Sequence, residues 1–211
     1  VEVQGAIPYP EGVPLAIGAE TGAAERYALD ELLTYEALPA YQQAPWLDQF
    51  VANGTLPPVE ERLPDEPQVM LATAMSSGIG QYGGTWRDFS ACPTEGWNLG
   101  AGQTQGWFGL NIIYEEALVL TGPLFRYDKV EPLPNLAKSW EWSDDGTELT
   151  MALIEGAKWS DGEPFSADDV MFTWEHLILD PNVNSSTSRT AWQIDGEDVD
   201  LEKVDDYTIK W

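Results

Sequence analysis

Hydrophobic positions change period along this chain, and the changes mark out its elements. Leu29, Leu32 and Leu33 share one helical face and predict a short helix from about Arg26 to Leu38. After Pro45, the positions Trp46, Leu47, Phe50 and Val51 give a second amphipathic turn or two, with Gly54 where a helix C-terminus wants it. The prolines from Leu56 to Pro67 forbid a regular period and predict an ordered but irregular linker. Beyond Gln68 the texture becomes short strands and turns. Thr85 to Phe89 is a β-prone run, expected to form the first core strand, and Ser90 to Gln105 is a long polar, Gly-rich loop. Leu110, Ile113, Tyr114, Ala117 and Leu118 then follow helical spacing and predict a core-facing helix.

The plainest local pattern is period two. Trp140 and Trp142 alternate with Glu141 and Ser143, Leu149, Met151 and Leu153 alternate on the return, and Asp144-Asp145-Gly146 between them predicts a hairpin closed by a three-residue loop. A change back to helical spacing follows Phe165. Ser166 is a suitable N-cap, Asp169 stands three residues on in a capping-box position, and Phe165 with Val170 supplies a hydrophobic staple. This helix is expected to run to about Leu179, where Asp180-Pro181 stops it. A polar loop covers Asn182 to Thr190, and Asp206 to Trp211 reads as a strand. The organisation expected is therefore a leader over 1–67, with short helices and a Pro-rich linker, and a second unit over 68–211.

Charge changes what such a body can meet. Ten Lys and Arg stand against 36 Asp and Glu, for a formal charge of −26, which excludes nucleic acid and anionic membrane as partners because both need clustered positive charge. The chain is nevertheless 43% hydrophobic, enough to bury a core, so the acidity does not signal disorder. No apolar run approaches the roughly 20 residues of a membrane-spanning helix. A single Cys92 and a single His176 cannot build a conventional zinc site, and no cofactor is expected.

Candidate chemistry mostly dissolves into local structure. Asp144-Asp145 and Asp168-Asp169 are neighbours in a turn and in a first helical turn, whereas glycosidase carboxylates face each other across about 5 to 9.5 Å. Asp195 to Asp200 lacks the order of a calcium loop and reads as a solvated acidic turn. His176 has no nucleophile at a recognisable spacing, and Cys92 has no CxxC partner. The ten tryptophans are the remaining signal. Trp86, Trp140, Trp142, Trp159 and Trp174 fall in elements with a predicted buried face, while Trp97 and Trp107 flank the Gly-rich loop and are available to a ligand.

The blocks Tyr114-Glu115-x-x-Leu118, Pro134 to Glu141, Ser143 to Thr147, Lys158 to Phe165 and Ala167 to Val170, in this order and spacing, resemble the family 5 extracellular solute-binding proteins. Ala44 to Leu47, the Gly54 to Pro64 stretch and Tyr82 to Thr85 resemble a subgroup of the same family. The resemblance implies an α/β, two-lobed fold of the type II periplasmic-binding-protein kind, with only the N-terminal part of one lobe and its attached subdomain present. It also implies a non-enzymatic binding subunit of an ABC importer, monomeric, working with membrane permease subunits, and periplasmic or extracellular, with a lipid tether to the outer face of the membrane as one arrangement. Peptides are the ligand class the resemblance favours. A secreted carbohydrate-binding or carbohydrate-active protein is the alternative, drawn from the Trp and carboxylate content. The ligand loop implied is the one before Tyr114-Glu115: Gly102, Gln103, Thr104, Gln105 and Trp107, with Trp97 beside it. Its glycines permit close approach, its amides and hydroxyl can bond a neutral polar ligand, and its indoles can stack on one.

Overall fold

The computed structural model describes residues 25–75, 78–85, 116–120, 127–129, 131–183 and 189–211. Its centre is a four-stranded antiparallel sheet built from two hairpins. Strands β5 (Ala137–Trp142) and β6 (Leu149–Leu153) form the first, β9 (Glu202–Asp205) and β10 (Thr208–Lys210) the second, and β6 pairs with β10 to give the order β5-β6-β10-β9. Register places Trp140 opposite Met151, Met151 opposite Ile209, and Trp142 opposite Leu149. These side chains therefore lie on one face, as period two requires.

Helix α4 (Ala167–Thr173) covers part of that face, continued by a π-helical turn, Trp174–Ile178. Its start is fixed as the sequence predicts. The Ser166 hydroxyl accepts from the Asp168 amide, and the Asp169 carboxylate accepts from the Ser166 amide at 2.8 Å. Phe165, Ala167 and Trp174 meet Ala137, Met151, Leu153 and Ile209 in the main core. Lys203 reaches across from β9 to Asp168 and Asp206, both at 2.8 Å, which fastens the acidic first turn to the sheet. Leu153 and Ile209 are fully buried, each worth about 1.5–3 kcal/mol by transfer.

A second, smaller core gathers Leu32, Leu33, Ala74, Tyr127 and Leu133. Here β1 (Leu33–Tyr35) pairs with β2 (Gln68–Met70), and β3 (Val119–Leu120) with β4 (Leu133–Pro134), both antiparallel. Asn135, the buried polar side chain of this region, ties the two cores together. It donates to the Ala117 carbonyl at 2.6 Å and to the Glu116 carboxylate, while the Asn135 backbone carbonyl accepts from the Tyr35 hydroxyl at 2.7 Å. Gln68 adds a donor to the Pro134 carbonyl at 2.7 Å.

Several expectations need correction. The helix over Arg26 to Leu38 shrinks to α1 (Leu29–Leu32), because Leu33, Thr34 and Tyr35 pair with β2, where a β-branched and an aromatic residue gain more than in a helix. The turn after Pro45 forms as a 3-10 turn, Pro45–Leu47, and α2 (Asp48–Ala52), and Gly54 takes φ 75°, but Trp46 and Phe50 remain exposed. The irregular linker holds one helical turn, α3 (Val59–Arg62). At the C-terminal end of the expected helix, Glu116 to Leu118 is not helical and leads straight into β3. The first hairpin closes with four residues between the Ser143–Glu148 pair, not three, since the Asp145 carboxylate collects Ser143 Oγ, Thr147 Oγ1 and the Thr147 amide. The strand expected at Thr85 to Phe89 and the loop from Ser90 to Gln105 lie almost wholly outside the described residues.

Candidate functional site

One end of the apolar sheet face is left uncovered by α4, and there a groove of about 980 Å³ opens. Its walls come from three pieces of chain. The first is the sheet itself, through Leu149, Met151 and Trp211, with Trp142 at the rim. The second is the crossover Ala117 to Val119. The third is the segment from Trp192 to Asp200, which includes the hairpin of β7 (Gln193–Ile194) and β8 (Glu197–Asp198). That hairpin turns on Asp195 and Gly196, at φ 53° and 89°, the two left-handed positions that an Asp-Gly type I′ turn supplies.

Aromatic geometry sets the groove's floor. Trp192 stacks on Trp211 with ring centroids 4.7 Å apart, and Trp174 meets both edge-on at 5.6 and 5.4 Å. Trp174 is 4% exposed and belongs to the core, so the outer pair rests on a fixed base. Trp211 is held in place by its backbone, which exchanges two 3.0 Å bonds with Leu149. Trp142 is 58% exposed at the rim.

The polar margin is acidic and largely prearranged. Arg189 grips Asp198 through two nitrogens, and Gln193 adds a 2.9 Å donor to the same carboxylate, which together lower the Asp198 pKa to about 2. Lys210 lies between Glu202 at 3.1 Å and Glu148 at 3.4 Å, and these partners raise its pKa. Among the described residues, Glu197 and Asp200 have no hydrogen-bonding or ion-pair partner for their carboxylates. Lys210 is the one basic side chain among the described residues of the lining.

Gly102, Gln103, Thr104, Gln105, Trp107 and Trp97 all lie outside the described residues, as do Trp86 and Cys92. Trp142 and Trp159, expected to be buried, are exposed at 58% and 53%. Their strands and turns place them at the margins, Trp142 past the end of α4 and Trp159 in a turn where its indole nitrogen donates to Asp169 at 3.1 Å. Trp192 gave no pattern of its own, because it sits in a 3-10 turn, Arg189–Trp192, of too few residues to show a period. His176 is exposed, with its ring 4.9 Å from Phe172. No group of three or more His, Cys, Asp or Glu among the described residues is disposed to hold a metal ion.

The block that makes β5, β6 and α4 is also the block that identifies the chain. Residues 131–211 match the model of the bacterial extracellular solute-binding proteins, family 5 Middle. That stretch is family 5 solute-binding sequence. A periplasmic alpha-galactoside-binding protein of Rhizobium meliloti (strain 1021) is 52% identical over 185 residues, covering 86% of this chain and 27% of that protein. The structure of the periplasmic binding protein MelB of Agrobacterium fabrum C58, in complex with stachyose, is 48% identical with a TM-score of 0.79, over 97% of this chain and 30% of that one. An oligopeptide-binding protein, OppA, superposes with a TM-score of 0.61 at 31% identity, over 83% of this chain and 24% of its own. Such neighbours are two-lobed, and this chain corresponds to under a third of their length, so the fold described above is part of one α/β binding protein of that type.

Proposed function

We propose that the protein carrying this chain is the extracytoplasmic, periplasmic substrate-binding subunit of an ABC importer, and that its ligands are α-galactosides. The observation that carries the reading is the 52% identity over 185 residues with a protein named for α-galactosides. The likeness to a receptor holding stachyose supports the same class. Galactosides thus take the place that peptides hold in the first expectation, and the binding role is kept while turnover is not invoked. The loop Gly102 to Trp107, with Trp97, stays a proposed ligand contact of the whole receptor. Membrane permease subunits are its proposed partners, and a monomer its proposed state.

Peptide binding is the second reading, favoured by the superposition on OppA. Calorimetric titration of the full-length protein separates the two. Saturable binding of stachyose with no heat from a tripeptide is the expected result. Tripeptide binding without stachyose binding would overturn the ligand class, and hydrolysis of the glycoside would overturn the binding role itself.

A further inference from the structure

We infer that the groove floored by Trp192 and Trp211 is a sugar subsite, in which a galactosyl ring packs against indole and its hydroxyls bond the acidic margin. This rests on the α-galactoside reading, and names within it residues that the sequence pattern did not single out. The groove is concave, about 980 Å³, and apolar with a few convergent polar groups, the general form of a small-molecule site. Its aromatic part is rigid: Trp192 and Trp211 are stacked on each other and seated on buried Trp174. A galactosyl ring suits such a surface. Its axial 4-hydroxyl points to one side, which gathers the hydrogens on carbons 3, 4 and 5 into an apolar patch on the other, and that patch lies flat on an indole.

The polar groups discriminate by charge. Glu197 and Asp200, without partners among the described residues, are acceptors for sugar hydroxyls. Lys210 bridges Glu148 and Glu202, so two of its three donors are engaged and the third is left for a neutral oxygen. A cation favours a peptide's terminal carboxylate, and the described lining offers only this already neutralised lysine. A neutral oligosaccharide brings no charge to desolvate and meets no repulsion from the acids.

The test uses the full-length protein with stachyose as probe and the variants Trp142→Ala and Asp200→Asn. Trp142 is exposed at the rim and Asp200 is exposed, so neither change empties the core. The expected result is a Kd weakened about three- to tenfold by each, with melting temperature unchanged, and ligand-dependent protection from hydrogen exchange over 189–200. Wild-type affinity in both variants, with no protection over 189–200, overturns the subsite and leaves the receptor reading standing. Failure of the wild-type protein to bind stachyose or any other α-galactoside overturns both together.

Discussion

Trp192 lies on Trp211 with planes 22° from parallel, although 19 positions of chain separate them, and both rest on the edge of Trp174. The contact joins the sheet, the start of the π-helical turn and the 3-10 turn in one aromatic cluster. Each ring is held by a different element: Trp211 by its bonds to Leu149, Trp174 by the helix that begins at Ser166, and Trp192 by the turn at Arg189.

The cluster predicts an uneven response to truncation. Trp174→Ala removes a 4% exposed indole and is expected to destabilise the protein by about 3–5 kcal/mol. Trp192 and Trp211 are only partly buried, so their single changes should cost less, with a coupling of about 1 kcal/mol in a double-mutant cycle. Urea denaturation of the full-length protein measures both. Equal losses at Trp174 and Trp192 would contradict the hierarchy.

The cap of α4 gives a smaller effect. Ser166→Ala deletes the acceptor for the Asp168 amide and is expected to cost about 1 kcal/mol, while Ser166→Thr should retain most of it. The urea midpoint is the measurement, and an unchanged slope is the sign that only stability moved. A neutral Ser166→Ala would mean that the Asp169 bond to the Ser166 amide and the tie from Lys203 to Asp168 suffice to set the helix start.

What could be read in the sequence follows the range of the interactions. The β5–β6 hairpin, the capped helix and the family all show, because alternation, a Ser166-x-x-Asp169 box and the Asp144-Asp145-Gly146 turn act over a few residues. The exposure of Trp142 does not show in the sequence because a strand's alternation fixes which face a residue takes, not how far the opposite element extends over it, and Trp159 lies in a turn with no alternation to follow. The switch from helix to strand at Leu33 depends on Met70, its register partner 37 positions along the chain, which no local pattern carries. The groove has the same origin. Trp211, Trp142 and Trp192 come to line one groove only after β6 has paired with β10. The loop at Gly102 to Trp107 as a ligand contact, and the division into 1–67 and 68–211, remain proposals.

Acid titration should find Asp198. Its pKa falls to about 2 because Arg189 and Gln193 donate to it, so the folded state holds its carboxylate charged more firmly than the unfolded chain does. The stabilisation is therefore complete above the ordinary value of 3.8 and is lost as pH falls from there through about 2. Lys203 and Lys210 work in the other direction. Their carboxylate partners raise their pKa values, so their contribution persists below 10.5 and is lost only as pH climbs through the raised values. The expected outcome is that Asp198→Asn lowers the melting temperature at pH 6 and flattens its decline between pH 4 and 2. A decline identical to wild type would show that other carboxylates set the acid limb.

Salt sets two charge effects against each other, and their sizes decide the sign. Screening weakens the ion pairs at Arg189, Lys203 and Lys210, but such partly exposed pairs are worth about 0–1 kcal/mol each. Screening also relieves the mutual repulsion of a chain carrying −26, which acts among many carboxylates at once and weakens once the Debye length falls from about 30 Å at 0.01 M to about 3 Å at 1 M. Acids adjacent in the chain, such as Asp144-Asp145 and Asp205-Asp206, sit much closer together than about 30 Å and are screened only at the higher salt, so the relief is expected to grow across the whole range. A net gain of about 1 kcal/mol raises the melting temperature of a domain this size by about 2–4 °C. Calorimetric scans of the protein between dilute buffer and molar sodium chloride should show that rise, and it should be larger in Lys210→Met, where Glu148 and Glu202 lose their common partner. A melting temperature that stays flat, or falls, with added salt would place the ion pairs above the repulsion.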